Sequence, residues 1–144
     1  MTLSNDFIRK AEYYLYNCKE IQQQVLEMRE DIIQLESYDT TKNRTGKSNK
    51  IHDMTADKAT RLIEKVGEHE EWLKIVQATF SYYNHTDKGR LIYSKYVLKE
   101  PVDETLRRLG MSRTNYFKSR REILTYMAVQ VAYNNLMSID QLIA

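Results

Sequence analysis

Seven side chains in the C-terminal third of the chain have the chemistry of base-pair recognition: Arg113, Thr114, Asn115, Phe117, Lys118, Arg121 and Thr125. Arg and Lys donate to guanine edges, Asn pairs with adenine, and a Thr or aromatic carbon meets the thymine methyl. At about 100° per residue, Thr114, Lys118, Arg121 and Thr125 share one helix face, with Arg113 and Asn115 near its start and Phe117 at its edge. The opposite face holds Tyr116, Ile123 and Met127, with Arg120 and Leu124 at its margin. A charged face alone is only a solvated helix, so its flanks decide what it means.

Those flanks spell a short helix, a turn and a second helix start. Pro101 fits a first helical position, where its missing N–H is no loss, and Asp103 and Glu104 follow in the first turn, favoured by the helix dipole. Val102, Leu106 and Leu109 recur at four and three residues and predict one buried stripe. Gly110 then ends the helix in a left-handed conformation, Met111 plugs the gap, and Ser112 caps the second helix. This layout predicts a helix-turn-helix with the basic face on its second helix.

Charge is placed to match. The chain of 144 residues has 22 Lys+Arg against 20 Asp+Glu, a net +2 that indicates no partner. Between Thr86 and Tyr126, however, lie ten basic and five acidic residues, a local +5 that leaves −3 for the remainder. One module is therefore expected to dock on phosphates while the rest does not.

The elements that must position this module read as all-α. One Pro, four Gly and 29% charged residues suit a helical protein. A 4-3 apolar stripe runs from Phe7 through Ala11, Tyr14, Cys18, Ile21, Val25, Met28, Ile32 and Leu35. A second runs from Ala59 through Leu62, Val66, His69, Leu73, Val76, Phe80 and Tyr83. That period is the coiled-coil one, so each stripe needs a partner helix, within the chain or in another subunit. His69 reads as a register or hydrogen-bonding residue in its seam.

The expected organisation is a heptad helix over 1–36, a polar flexible linker over 37–53, a second heptad helix over 54–85, the helix-turn-helix module over 86–128 and a helical extension over 129–144. The extension carries Met127, Ala128, Val131, Ala132 and Leu136, then a cap at Ser138 before Ile139, Leu142 and Ile143. Apolar residues of this kind pack on their own domain or dimerise it. Lys42, Arg44, Lys47 and Lys50 of the linker could touch DNA backbone as an arm.

Other chemistry is poorly served. Gly46-Lys47-Ser48 resembles the end of a phosphate-binding loop, but Thr41 stands where its first glycine belongs and no strand precedes it. His52, His69 and His85 are scattered and Cys18 is the only cysteine, so neither a metal site, a cofactor nor a disulfide is expected. The Tyr13, Tyr14 and Tyr16 cluster reads as packing, and no catalytic residue can be named. With no apolar run of about 20 residues and no signal-peptide pattern, a cytoplasmic protein away from membranes is expected.

The order of polar linker, heptad helix, a lead helix ending Tyr96-Val97-Leu98-Lys99, and Leu109-Gly110-Met111-Ser112-Arg113-Thr114-Asn115-Tyr116-Phe117-Lys118 resembles phage transcriptional regulators of the ArpU and RinA type. Their helix-turn-helix is similar to the fourth region of sigma factors. The resemblance covers Thr86 to Ala128 in sequence and the first 85 residues in layout only. It implies a phage or prophage protein that activates late packaging and morphogenesis genes from promoter DNA. Double-stranded DNA is the expected partner, with a homo-oligomer, dimer or higher, and host RNA polymerase beside it. Such motifs keep a small residue four before the turn glycine; here Leu106 stands, after Thr105, which implies an altered helix crossing. The alternative reading is an adaptor that binds polymerase, or a structural coiled coil, without reading bases.

Overall fold

The computed structural model describes the backbone of residues 2–42 and 49–144 and the side chains of 2–35 and 56–144. The fold is all-α: α1 (Asn5–Tyr16), α2 (Cys18–Lys42), α3 (Asn49–Tyr83), α4 (Asp87–Ile92), a π-helical turn (Tyr93–Val97), α5 (Val102–Leu109), α6 (Arg113–Tyr133) and α7 (Ile139–Leu142). Among the described residues, no helix is long and apolar enough to cross a membrane.

The helix expected over 1–36 is two helices. Asn17 ends α1 by turning both its backbone and side-chain N–H groups onto the Tyr13 carbonyl, at 3.1 and 2.9 Å. A short amide side chain competes with the helix for that acceptor, and periodicity has no means of recording it. The expected 37–53 linker also differs: α2 continues to Lys42 and α3 starts at Asn49. Arg44 and Gly46-Lys47-Ser48 lie outside the described residues, as do the side chains of Lys42 and Lys50.

The chain forms two compact units, Met1–Cys18 with Trp72–Ala144, and Lys19–Glu71. The second is a helical hairpin. Arg29 pairs with Glu70 while Ile32 and Ile33 share a groove with Ile63 and Val66, so numbers rise on α2 as they fall on α3 and the helices are antiparallel. Among its described residues Ile21, Val25, Val66 and His69 are buried, and Leu26, Ile33 and Ile63 are exposed. The heptad stripe of α2 thus finds a partner within its own chain.

In the first unit, the core gathers Phe7, Ala11, Tyr14 and Leu15 of α1, Trp72, Ile75, Val76 and Thr79 of α3, and Tyr116, Ile123, Leu124, Met127 and Val131 of α6. Trp72 is enclosed, stacked on Tyr14 with ring centroids 5.0 Å apart and 3° between planes. The buried face of α3 is only partly the one expected: Val66, His69 and Val76 are buried, but Leu73 and Phe80 are half-buried, and Trp72, Ile75 and Thr79 are buried instead. Helices packed against several neighbours bury a broader arc than a two-helix seam.

The chain ends close this unit. The Ser4 N–H donates to the Leu142 carbonyl at 2.8 Å and the Ala144 N–H to that of Thr2 at 2.9 Å, around an isolated antiparallel bridge between Leu3 and Ile143. Ser138 and Gln141 form a capping box that starts α7. The boundary expected at 128 falls inside α6, and α7 packs on α1 as well as α6. Residues 129–144 belong to the same compact unit as the helices before them.

Candidate nucleic-acid interface

Helices α4, α5 and α6 and the π-turn pack as one group, with α4 touching each of the others. At the base of this group, Thr86 caps α4 by accepting from the Gly89 N–H at 3.1 Å. Gly89 has to be glycine, because a Cβ there would stand 2.2 Å from the Tyr83 carbonyl oxygen. The π-turn follows, marked by the Leu98 N–H reaching the Tyr93 carbonyl at 2.9 Å, and both Ser94 and Tyr96 are buried.

Pro101 caps α5 from outside, with φ −58° and ψ 152°, and Val102 is the first helical residue, one later than expected. Thr105 is fully buried, whereas Val102, Leu106 and Leu109 are half-buried. The expected apolar stripe is therefore shifted, and so is the reading of Leu106: the small residue at the helix contact is Thr105, one position earlier. Leu106 does not occupy the enclosed position.

Three residues join α5 to α6. Gly110 is left-handed at φ 62° and ψ 36°, with its N–H on the Leu106 carbonyl. The Met111 N–H shares that carbonyl at 3.0 Å. Ser112 then caps α6 by accepting from the Asn115 N–H at 3.1 Å.

Along α6, Arg113, Thr114, Asn115, Phe117, Lys118 and Arg121 are exposed, while Tyr116, Ile123 and Leu124 are buried behind them. From Arg113 to Arg121 the helix rises about 12 Å. Thr125 stands apart: it is half-buried, and its hydroxyl donates to the Arg121 carbonyl at 2.8 Å. Arg113 meets Asp103 at 3.2 Å in an exposed pair, which solvent screens and a phosphate can displace.

Family models, curated proteins and solved structures provide no match to this chain.

Two of the ten basic residues are withdrawn from this surface. Arg120 pairs with Glu12 of α1, and Lys95 lies 3.9 Å from the same carboxylate and over the rings of Tyr16, Tyr96 and Tyr116. Tyr96 donates its hydroxyl to Glu12 at 2.9 Å. Burial, then the Glu12 charge, push the Tyr96 phenol far above its ordinary value, so it remains a donor. Burial opposes the charge on Arg120, but its bond to Glu12 and that carboxylate's field more than offset it, and the guanidinium stays charged. Removing Lys95 and Arg120 from the segment leaves eight basic against five acidic residues, so +3 rather than +5 remains on the outside. Glu12 lies 108 residues from Arg120, and no local signal links them.

Two further groups flank this exposed face of α6. Arg90 of α4 shares a cleft of about 130 Å³ with Asp87, Leu109, Gly110, Met111 and Asn115. Across the helix, Thr2, Leu3 and Ile8 line a cavity of about 450 Å³ with Phe117, Arg121, Leu124 and part of Arg120. Composition counted Arg90 only as charge, and nothing in the sequence joined the N-terminal segment to Phe117. Among the described residues, no cluster of His, Cys, Asp and Glu could hold a metal ion.

Proposed function

We propose that the protein is a DNA-binding transcription regulator that lays the first half of α6 in the major groove. The observation that carries this is a single one. Arg113, Thr114, Asn115, Phe117, Lys118 and Arg121 project together from the start of a helix whose other side is locked into the core, directly after a capped left-handed turn. Lys118 and Arg121 supply guanine donors or phosphate contacts, Asn115 an adenine contact, and Phe117 an apolar surface for a thymine methyl. Arg90 beside the turn is placed for the DNA backbone. Thr125 contributes through its methyl, since its hydroxyl is held by the helix.

Under this reading the chain acts as a phage or prophage regulator that activates late genes, with promoter DNA as its ligand and host RNA polymerase as its second partner. The test is selection from random duplexes followed by a shift assay at several salt concentrations. The parent binds a selected sequence. Replacing Arg113, Lys118 and Arg121 with Ala abolishes binding at moderate salt and leaves helicity intact, because all three are exposed. Removing one phosphate contact lowers the salt slope by about 0.9. No enriched sequence, or a triple variant that binds like the parent, would overturn the proposal.

A further inference from the structure

Beyond Thr125, α6 has no part in that reading. Between Ile123 and Ile139 there is no charged side chain. On the outer side, Tyr126, Val129 and Tyr133 succeed one another at three and four residues and so form a single stripe. Val129 is 59% exposed and Tyr133 83%. At the end of α3, Tyr82, 64% exposed, stacks on Tyr126 with ring centroids 4.4 Å apart and 14° between planes. Tyr83 meets both of these rings edge-on. The stack fixes Tyr82 and Tyr126 before any partner arrives, which lowers the entropy cost of docking. Tyrosine is the residue type that such interfaces favour.

We propose that this face pairs with the same face of a second copy, the two α6 helices antiparallel across a two-fold axis near Val129. Charge selects the occupant. The charges nearest this face, Lys88 and Glu122, are paired with each other, so it offers little to an acidic or basic partner, whereas two identical copies of it meet without net repulsion. Antiparallel pairing also brings Tyr133 of each copy to the Tyr82–Tyr126 stack of the other, ring against ring. A third argument rests on the DNA-binding reading above. Phe117, midway along the chain between Arg113 and Arg121, is twelve residues before Val129. That is about 18 Å of helix, so a two-fold axis at Val129 separates two reading faces by up to about 36 Å, the spacing of one turn of the double helix.

Sedimentation equilibrium on the full chain decides the matter. The parent sediments at twice the 17.2 kDa of one chain. Val129→Glu and Tyr133→Glu each halve that mass with helicity unchanged, while Ile33→Glu on the hairpin leaves the dimer intact. A parent that is monomeric at every concentration reached would overturn the proposal, as would dimeric Val129→Glu and Tyr133→Glu variants or a monomeric Ile33→Glu variant. On duplexes with two selected half-sites, the dimer prefers centres about 10 bp apart to about 15 bp; no preference would overturn the antiparallel register. A dimer that binds no duplex sinks the DNA reading and upholds the face. A monomer that binds DNA fully does the reverse.

Discussion

In the unit formed by Met1–Cys18 and Trp72–Ala144, the side chains that meet are far apart in sequence, whereas Lys19–Glu71 is closed by two neighbouring helices. Glu12 holds Arg120, Ser4 holds Leu142 and Tyr14 holds Trp72 in the first unit. In the hairpin, the described contacts include one exposed ion pair, Arg29 with Glu70, and a narrow buried set. The contacts of the first unit form only once the chain ends meet, which carries a larger loop-closure cost. The hairpin can open and close locally at a lower free-energy cost. The exposed face that begins α6 thus belongs to the first unit, and the hairpin is the second.

The strongest way to break this contrast is Trp72→Ala. Removing the ring on which Tyr14 stacks should cost about 3–5 kcal/mol, read as a lower urea midpoint with loss of near-ultraviolet tyrosine signal. A cost under about 1 kcal/mol would mean that the aromatic core does not govern the unit. Glu12→Ala comes next. It strands Arg120, Lys95 and the Tyr96 hydroxyl, and should cost about 2–3 kcal/mol, less than a fully enclosed pair because Arg120 keeps some solvent. Glu12→Gln, which still accepts from Tyr96, should lose less in the same melt.

Gly89→Ala sharpens the contrast at backbone level. The added methyl meets the Tyr83 carbonyl, so α4 or the end of α3 has to move, at about 1–3 kcal/mol. Gly67→Ala in the hairpin has open space and should stabilise or leave unchanged. A smaller effect attends the pair of Lys88 and Glu122, 2.8 Å apart at the surface. The hydrogen bond to Lys88 holds the Glu122 carboxyl below its ordinary value, and the same bond holds the Lys88 ammonium above its own. A lowered carboxyl stabilises the fold above the ordinary carboxylate value and loses that contribution as pH falls through the lowered one. Glu122→Gln should therefore cost about 0.5 kcal/mol at neutral pH and nothing in acid, measured by melts across pH.

Periodicity read part of the fold well. Of the stripe from Phe7 to Leu35, Phe7, Ala11, Tyr14, Ile21 and Val25 are buried while Cys18, Met28, Ile32 and Leu35 are half-buried, and Gly110 and Ser112 end and start their helices as their chemistry demands. Where several helices converge, the same method shifted by a residue. Leu73 and Phe80 gave way to Trp72, Ile75 and Thr79, and Leu106 to Thr105, because a helix with neighbours on two sides buries an arc that no single seam describes. Six of the seven candidate reading residues are exposed together, since 3.6-residue geometry alone decides which side chains oppose Tyr116 and Ile123. Thr125 differs because a hydroxyl on a helix can bond back to its own carbonyls.

By itself, the sequence determined that the chain is helical, that Gly110 ends one helix and Ser112 and Ser138 start others, and which side chains could share the face that begins α6, all of which depend on neighbours within a few residues. Only the tertiary structure decided that Arg120 and Lys95 turn inward to Glu12, that Gly89 must lack a side chain, that the chain ends meet, and that Tyr82 and Tyr126 form one exposed stack. Each of these joins groups on different elements, and their meeting is set by how the helices pack, which residue spacing does not encode.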